Sequence, residues 1–91
     1  MRQSVINVEL FGMPRVVAGT RRIEATGTHL GDVLQSAVER APVLRSYITD
    51  EGGDWLNPGY TFVVDGQFTN DPGQPVSPDS VVLLVARASG G

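Results

Sequence analysis

The side chains able to do chemistry in this 91-residue chain are few and of restricted kinds. Cysteine is absent, which removes disulfides, thiolate metal sites, iron–sulfur clusters and every thiol-based mechanism. Lysine is absent too, and all seven basic residues are arginines, whose guanidinium stays protonated and is no useful nucleophile. A single histidine, His29, leaves little from which to build a triad or a multi-histidine metal site. It stands at a helix start beside Leu30 and reads as structural or exposed. Asp50, Glu51 and Asp54 cluster in "TDEGGDWLNPG", but on a Gly-rich loop they read as a solvated turn rather than a metal or acid–base site, and no metal is expected. What remains is the end of the chain, "VVLLVARASGG". Two final glycines arise by chance, as an expression remnant, or because the end itself is the working part. At an average usage of ~7% per position, chance supplies the pair in about 0.5% of sequences.

The elements that must position such an end can be read from composition and periodicity. At this length one domain is expected, burying roughly 60–65% of its unfolded surface around one modest core. A hydrophobic fraction of 41% and a charged fraction of 19% are globular values. The start "MRQSVINVELFG" lacks a signal peptide's apolar run, and no stretch approaches the roughly 20 apolar residues of a membrane span. A cytoplasmic protein with no membrane contact is the expectation. A net charge of −3 argues against a nucleic-acid partner and for neutral or basic proteins.

"SVINVELF" (Ser4–Phe11) alternates Ile6, Val8 and Leu10 with Val5, Asn7 and Glu9, the period of a half-buried strand. "GMPRVVAGT" reads as a connection opened by Gly12 and Pro14 and closed by Gly19. "RRIEA" (Arg21–Ala25) reads as a short returning strand. From Leu30 the period changes: Leu30, Val33, Leu34, Ala37, Val38 and Ala41 mark a helix with one buried stripe. Thr28 is the expected N-cap, Asp32 suits the positive end of the helix dipole, and Pro42 stops the helix. "VLRSYI" reads as a helical turn tucking Leu44, Tyr47 or Ile48 under the sheet, with Trp55 and Tyr60 as loop anchors. "YTFVVDGQFT" is a hairpin turning at Asp65-Gly66. "VVLLVAR" (Val81–Arg87), apolar on both faces, is an expected central strand. Together these predict a small α+β roll: residues 1–87 as a mixed sheet wrapped on one helix, and residues 88–91 as a flexible tail.

At this point the residues resemble a family. The helix entry "TGTHLGDVLQSAVERAP", the strand and turn "TFVVDGQ", the late turn "VSPDS" and the final "GG" fall in the order found in prokaryotic ubiquitin-like sulfur carriers. That family includes the small subunit of molybdopterin synthase and the sulfur carrier of thiamine biosynthesis. The resemblance covers nearly the whole chain as scattered short matches. It implies a ubiquitin-like β-grasp fold, with a mixed sheet of four to five strands packed on one main helix. Asp65-Gly66 replaces the usual Asn-Gly, Pro78-Asp79 replaces the usual Gly-Asp, and the proline before Gly-Gly is missing. Arg87 stands four positions before Gly91, which is similar to ubiquitin's own tail.

The resemblance also implies a mechanism. An adenylating activating enzyme, similar to ubiquitin-activating enzymes, uses ATP on the Gly91 carboxylate. A sulfur donor converts the adenylate to a thiocarboxylate, and a sulfur-accepting synthase receives the sulfur. The chain would then be a carrier or synthase small subunit rather than an enzyme, with no bound cofactor. The chemistry is consistent: a terminal carboxylate with a pKa of roughly 3.3–3.7 is an anion and a poor electrophile until activated. Ala88, Ser89 and Gly90 would thread the tail into a narrow channel, reaching about 13 Å at ~3.3 Å per residue, with glycine permitting close backbone approach. Without cysteine no persulfide can ride on the chain, and without lysine the activated end has no ε-amine of its own to acylate. Genomic base usage explains the same absences equally well.

Ordering the tail costs entropy, so docking needs help from the folded surface. One helix cannot cover both faces of the sheet, so part of the apolar strand residues must face outward. Phe62, Val64, Leu83 and Val85 are the candidates for that patch, with Arg87 as a docking contact. Two other functions are open: a protein modifier that acylates lysines of other proteins, and a β-grasp interaction module with an incidental Gly-Gly. The length and loops are more similar to the molybdopterin-synthase subunit or a cysteine-pathway carrier than to the shorter thiamine carrier.

Overall fold

The computed structural model describes residues 5–87. Its strands are β1 (Val5–Leu10), β2 (Arg22–Thr26), β3 (Tyr60–Val64), β4 (Gln67–Thr69) and β5 (Val82–Ala86). They form one mixed sheet in the order β2-β1-β5-β3-β4. The neighbouring pairs are antiparallel except β1 and β5, which run parallel. The expected central strand is therefore central, paired on both edges. The main helix, α2 (Leu30–Arg40), packs across one face of this sheet.

Alternation decides which strand residues meet that helix. Ile6, Val8 and Leu10 of β1, Ile23 and Ala25 of β2, Phe62 and Val64 of β3, and Val82 and Leu84 of β5 are buried with Leu30, Val33, Leu34, Ala37 and Val38 of α2 in one core. At ~25 cal/mol per Å² of apolar surface removed from water, this layer is the main favourable term in the fold. On the sheet's other face, among the described residues, Asn7, Glu9, Arg22, Glu24 and Phe68 are exposed to water.

Three local expectations need correction. The segment read as a connection contains a helix, α1 (Met13–Ala18). Pro14 lies in its first turn, and Gly19 at φ 72° closes it by donating its N–H to the Arg15 carbonyl at 3.0 Å. Pro14 is buried and Val17 and Ala18 pack on the core, which is helical spacing on a very short element. At the start of α2 the N-cap is His29 rather than Thr28, and neither side chain caps the helix. Thr28 Oγ1 instead hydrogen-bonds His29 Nδ1 at 2.9 Å. The first helical amides are satisfied from afar: Leu30 N–H donates to the Gln74 carbonyl at 3.0 Å and Gly31 N–H to the Pro72 carbonyl at 2.8 Å. The third correction concerns Tyr47, which is exposed, while Leu44 and Ile48 are the residues tucked inside. They come from a 3₁₀ turn (Pro42–Leu44) and α3 (Arg45–Ile48).

The middle hairpin forms as its turn residues dictate. Asp65 (φ 51°) and Gly66 (φ 85°) both take the left-handed conformation of a type I′ turn. Asp65 also ties the hairpin to the entry of β5: its Oδ1 accepts the Val81 N–H at 2.9 Å and its N–H donates to the Val81 carbonyl at 2.9 Å.

Candidate functional site

The registers across the sheet define its uncovered face. Directly opposed residues share a face, and Val63 pairs with Leu83 and with Phe68, while Thr61 pairs with Val85. On the other flank Glu9 pairs with Leu83 and with Arg22. One rung of outward residues therefore reads Arg22, Glu9, Leu83, Val63, Phe68 from edge to edge. It is charged on β2 and β1 and apolar on β5, β3 and β4.

This geometry divides the residues expected to dock a partner. Leu83 and Val85 are half-buried on the uncovered face, and by the same alternation Arg87 follows them in the row. Phe62 and Val64 do not belong to it. Phe62 is 1% exposed and pairs with Leu84, Val64 pairs with Val82, and all four point at the helix. The antiparallel register puts even-numbered residues of β3 opposite even-numbered residues of β5, so 62 and 64 cannot share a face with 83 and 85. The residues of β3 and β4 on that side are Val63, itself buried at 9% exposure, and Phe68, which the sequence reading missed. Phe68 is 75% exposed on a three-residue edge strand. A two-residue turn at Asp65-Gly66 already implies the pairing of Val63 with Phe68, so the signal was present in the sequence. Val81, 57% exposed and level with Asn7 in the parallel register, extends the apolar row toward the opposite end of β5.

At the other end, Arg87 continues the ladder beyond β5, its N–H donating to the Gly59 carbonyl at 2.8 Å. Arg87, Thr61, Phe68, Thr69 and Asn70 line a shallow cavity of about 280 Å³. Thr61 Oγ1 donates to the Thr69 carbonyl at 3.2 Å, which ties down the floor of that cavity. A guanidinium thus stands beside an exposed aromatic ring at the point where the chain leaves the sheet. The expected working residues Ala88, Ser89, Gly90 and Gly91 lie outside the described residues.

The remaining candidates fall into structural places. Asp50, Glu51 and Asp54 are exposed in the turn that the loop composition predicts, with Asp50 Oδ1 accepting the Asp54 N–H at 3.2 Å. Among the described residues no group of three or more His, Asp and Glu side chains is placed to hold a metal ion. Trp55 anchors its loop as expected: its Nε1–H donates to Asn70 Oδ1 at 3.1 Å and its ring lies 5.7 Å from that of Phe62. Tyr60 is half-buried against the core. His29 is exposed and lies 3.8 Å from Asp32, the one ion pair among the described residues. No helix among them is long and apolar enough to cross a membrane.

The fold is similar to that of SAMP1 from Haloferax volcanii, with a TM-score of 0.82 at 23% identity, covering 96% of this chain and 99% of that one. It is similar to the small archaeal modifier protein 1 of Methanosarcina acetivorans, with a TM-score of 0.79 at 22% identity over 100% of both chains. A chain of the Amycolatopsis orientalis BexX/CysO complex matches with a TM-score of 0.76 at 14% identity, covering 94% of this chain and 99% of that one. No protein-family model and no curated protein matches the sequence. What is shared at these identities is the fold, the ubiquitin-like β-grasp that the sequence resemblance implies.

Proposed function

We propose that this chain is a protein-borne sulfur carrier whose C-terminal glycine, Gly91, is the reacting group. A carboxylate oxygen of Gly91 attacks the α-phosphorus of ATP in an activating enzyme, pyrophosphate leaves, and an acyl adenylate forms. Hydrosulfide released by a donor then attacks the carbonyl carbon, AMP leaves, and loss of the sulfur-bound proton to water gives a thiocarboxylate. A substrate held by a synthase of cofactor, amino-acid or secondary-metabolite biosynthesis takes the sulfur, and water cleaves the acyl–sulfur bond and returns Gly91 to a carboxylate. ATP is consumed in the activating enzyme, and the carrier itself needs no bound cofactor.

The observation that carries this reading is where the sheet leads. Gly90 and Gly91 stand three and four positions after Arg87, which follows the central strand, and the outward row of that strand is apolar and ends in a guanidinium. A central strand paired on both edges is a rigid base for a tail, and half-buried Leu83 and Val85 with exposed Phe68 supply apolar area beside it for a partner to cover. Apolar and aromatic area with arginine is the composition of a protein-binding surface. The chain acts on this reading as a cosubstrate rather than as a catalyst.

A second reading is a modifier that acylates lysine amines of other proteins, favoured by the fold's similarity to a protein named a small archaeal modifier. Both use the same activated glycine, and they part at the nucleophile. Intact-mass spectrometry after incubation with a cognate activating enzyme, ATP and a sulfide source separates them. Sulfur carriage predicts a mass gain equal to replacing one oxygen by sulfur, lost on deleting Gly91. Modification predicts isopeptide-linked adducts on target proteins instead. No adenylation with cognate activating enzymes, together with no effect of the deletion, refutes both and leaves a plain interaction module.

A further inference from the structure

A second surface at the same end of the sheet carries the opposite charge from the chain as a whole. The end of β1, helix α1 and the start of β2 enclose a cleft of about 490 Å³, lined by Leu10, Thr20 and the three arginines Arg15, Arg21 and Arg22, with Glu9 as its single acid. None of these arginines forms an ion pair among the described residues, although Glu9 and Arg22 are directly opposed across β1 and β2. Three of the chain's seven arginines are thus gathered and exposed in one cleft beside a single carboxylate. Beside them stand Phe11, Met13 and Val16, the last 69% exposed.

The position of this surface follows from the topology. Because β5 runs parallel to β1 with Leu84 level with Leu10, the exit of β5 and the β1–α1 corner lie at the same end of the molecule. The Leu10 N–H donates to the Arg21 carbonyl at 2.8 Å, so Arg21 is two strands from β5, about 10 Å at the usual spacing. A partner that takes the tail as it leaves β5 meets the arginine cleft on its flank.

We propose that the α1–β2 arginine cleft, with Phe11, Met13 and Val16, is a docking surface for an acidic patch on the enzyme that activates the tail. This rests on the carrier reading for the identity of that enzyme. Charge selects the occupant: three guanidiniums against one carboxylate attract a carboxylate-bearing surface on a chain whose net charge of −3 otherwise repels one. Apolar side chains select a protein. Phe, Met and Arg together are the residues enriched in protein interfaces. A polyanionic nucleic acid would face the overall negative charge and has no apolar groove to match Phe11, Met13 and Val16. A small anion would find an open cleft with no buried donor aimed into it. The prediction from net charge, that partners are neutral or basic, is therefore reversed locally beside the tail.

The test is pyrophosphate exchange by the cognate activating enzyme, measured as KM and kcat for the carrier at low and high salt. The variant carries Arg15→Glu and Arg21→Glu. Arg22 is left alone, because reversing it would set two carboxylates opposite each other across β1 and β2. The expected result is a KM raised by roughly tenfold to a hundredfold at low salt, with kcat unchanged and the difference shrinking at high salt. The Arg15→Lys, Arg21→Lys variant keeps the charge and restores most of the KM. If the reversed variant melts early, Arg15→Ser with Arg21→Ser removes the charge without reversing it and must raise KM in the same direction. Unaltered KM and salt dependence, with the wild type active, overturn this inference and leave the carrier reading standing. A wild type with no exchange at all overturns the carrier reading and this inference with it. Binding of a short RNA oligonucleotide that shifts the amides of Arg15, Arg21 and Arg22, with KM unaltered in the variant, also overturns it and makes nucleic acid the occupant.

Discussion

Two phenylalanines six residues apart give a test of the sheet's two faces. Phe62 is 1% exposed in the core beside Trp55, and Phe68 is 75% exposed on the opposite face. Phe62→Ala removes a core ring and leaves a cavity, at a cost of about 3–5 kcal/mol. A domain of this length has a total stability of about 5–14 kcal/mol, so a large fraction is lost. At an m-value near the middle of the usual range, the urea midpoint falls by roughly 2 M. Phe68→Ala loses only a cross-strand contact with Val63, about 0.2–1 kcal/mol, and the midpoint barely moves. The order reverses in exchange kinetics with the activating enzyme. Covering Phe68 in a complex contributes about 1.5–3 kcal/mol, so its loss raises KM by roughly tenfold to a hundredfold at constant kcat. Folded Phe62→Ala protein, assayed at low temperature, retains its KM. Equal destabilisation by the two substitutions would refute the assignment of faces. Stable Phe68→Ala protein with a wild-type KM would refute docking through the apolar row.

Three further outcomes follow from the same geometry. Gly27→Ala places a Cβ 2.6 Å from Asp32 Cβ at a backbone φ of 148°, and is expected to cost about 1–3 kcal/mol in urea unfolding. Asp65→Ala removes the acceptor of the Val81 N–H and a residue that tolerates the left-handed conformation, so it costs about 1–2 kcal/mol, whereas Asp65→Asn keeps both features and costs less. Deletion of Gly91 is expected to abolish thiocarboxylate formation in the mass assay and to leave the melting temperature unaltered, since a chain terminus contributes little to a core.

Much of this architecture is legible in the residues because alternation and helical spacing are local. Ile6, Val8 and Leu10, and Leu30 through Val38, announce their buried faces without reference to anything distant. Two of the failures involve partners far away in sequence, and one a segment too short to show a period. Thr28 is a good N-cap by type, but the backbone carbonyls of Pro72 and Gln74, some forty residues on, satisfy the α2 amides instead. Gly31 fits this close approach, since a Cβ there would lie 3.3 Å from the Pro72 carbonyl oxygen. Helix α1 escaped notice because six residues hold less than two full turns, too few for a period to emerge. Its Pro-first, Gly-last boundaries were the available signal. Phe62 and Val64 were assigned to the wrong face because the run Phe62-Val63-Val64 is apolar at successive positions and hides the phase of β3. Only the register with β5 reveals it.

That loss of phase has a functional meaning. A strand buried on one face and exposed to water on the other should alternate, yet β5 reads Val-Leu-Leu-Val-Ala and β3 reads Tyr-Thr-Phe-Val-Val. The helix side accounts for Val82, Leu84, Phe62 and Val64. On the other side Val63 is buried by the fold itself, while Leu83 and Val85 are only half-buried, and β1 and β2 place Val5, Asn7, Glu9, Arg22 and Glu24 there. Apart from Val5 at the start of β1, the apolar residues of that side lie on β5, β3 and β4. Stability alone would favour polar residues there as it does on β1 and β2, because an uncovered apolar row promotes association. A row retained against that cost and ending in Arg87 is what the proposed carrier reading calls for, a surface for a partner to cover while it takes Gly90-Gly91.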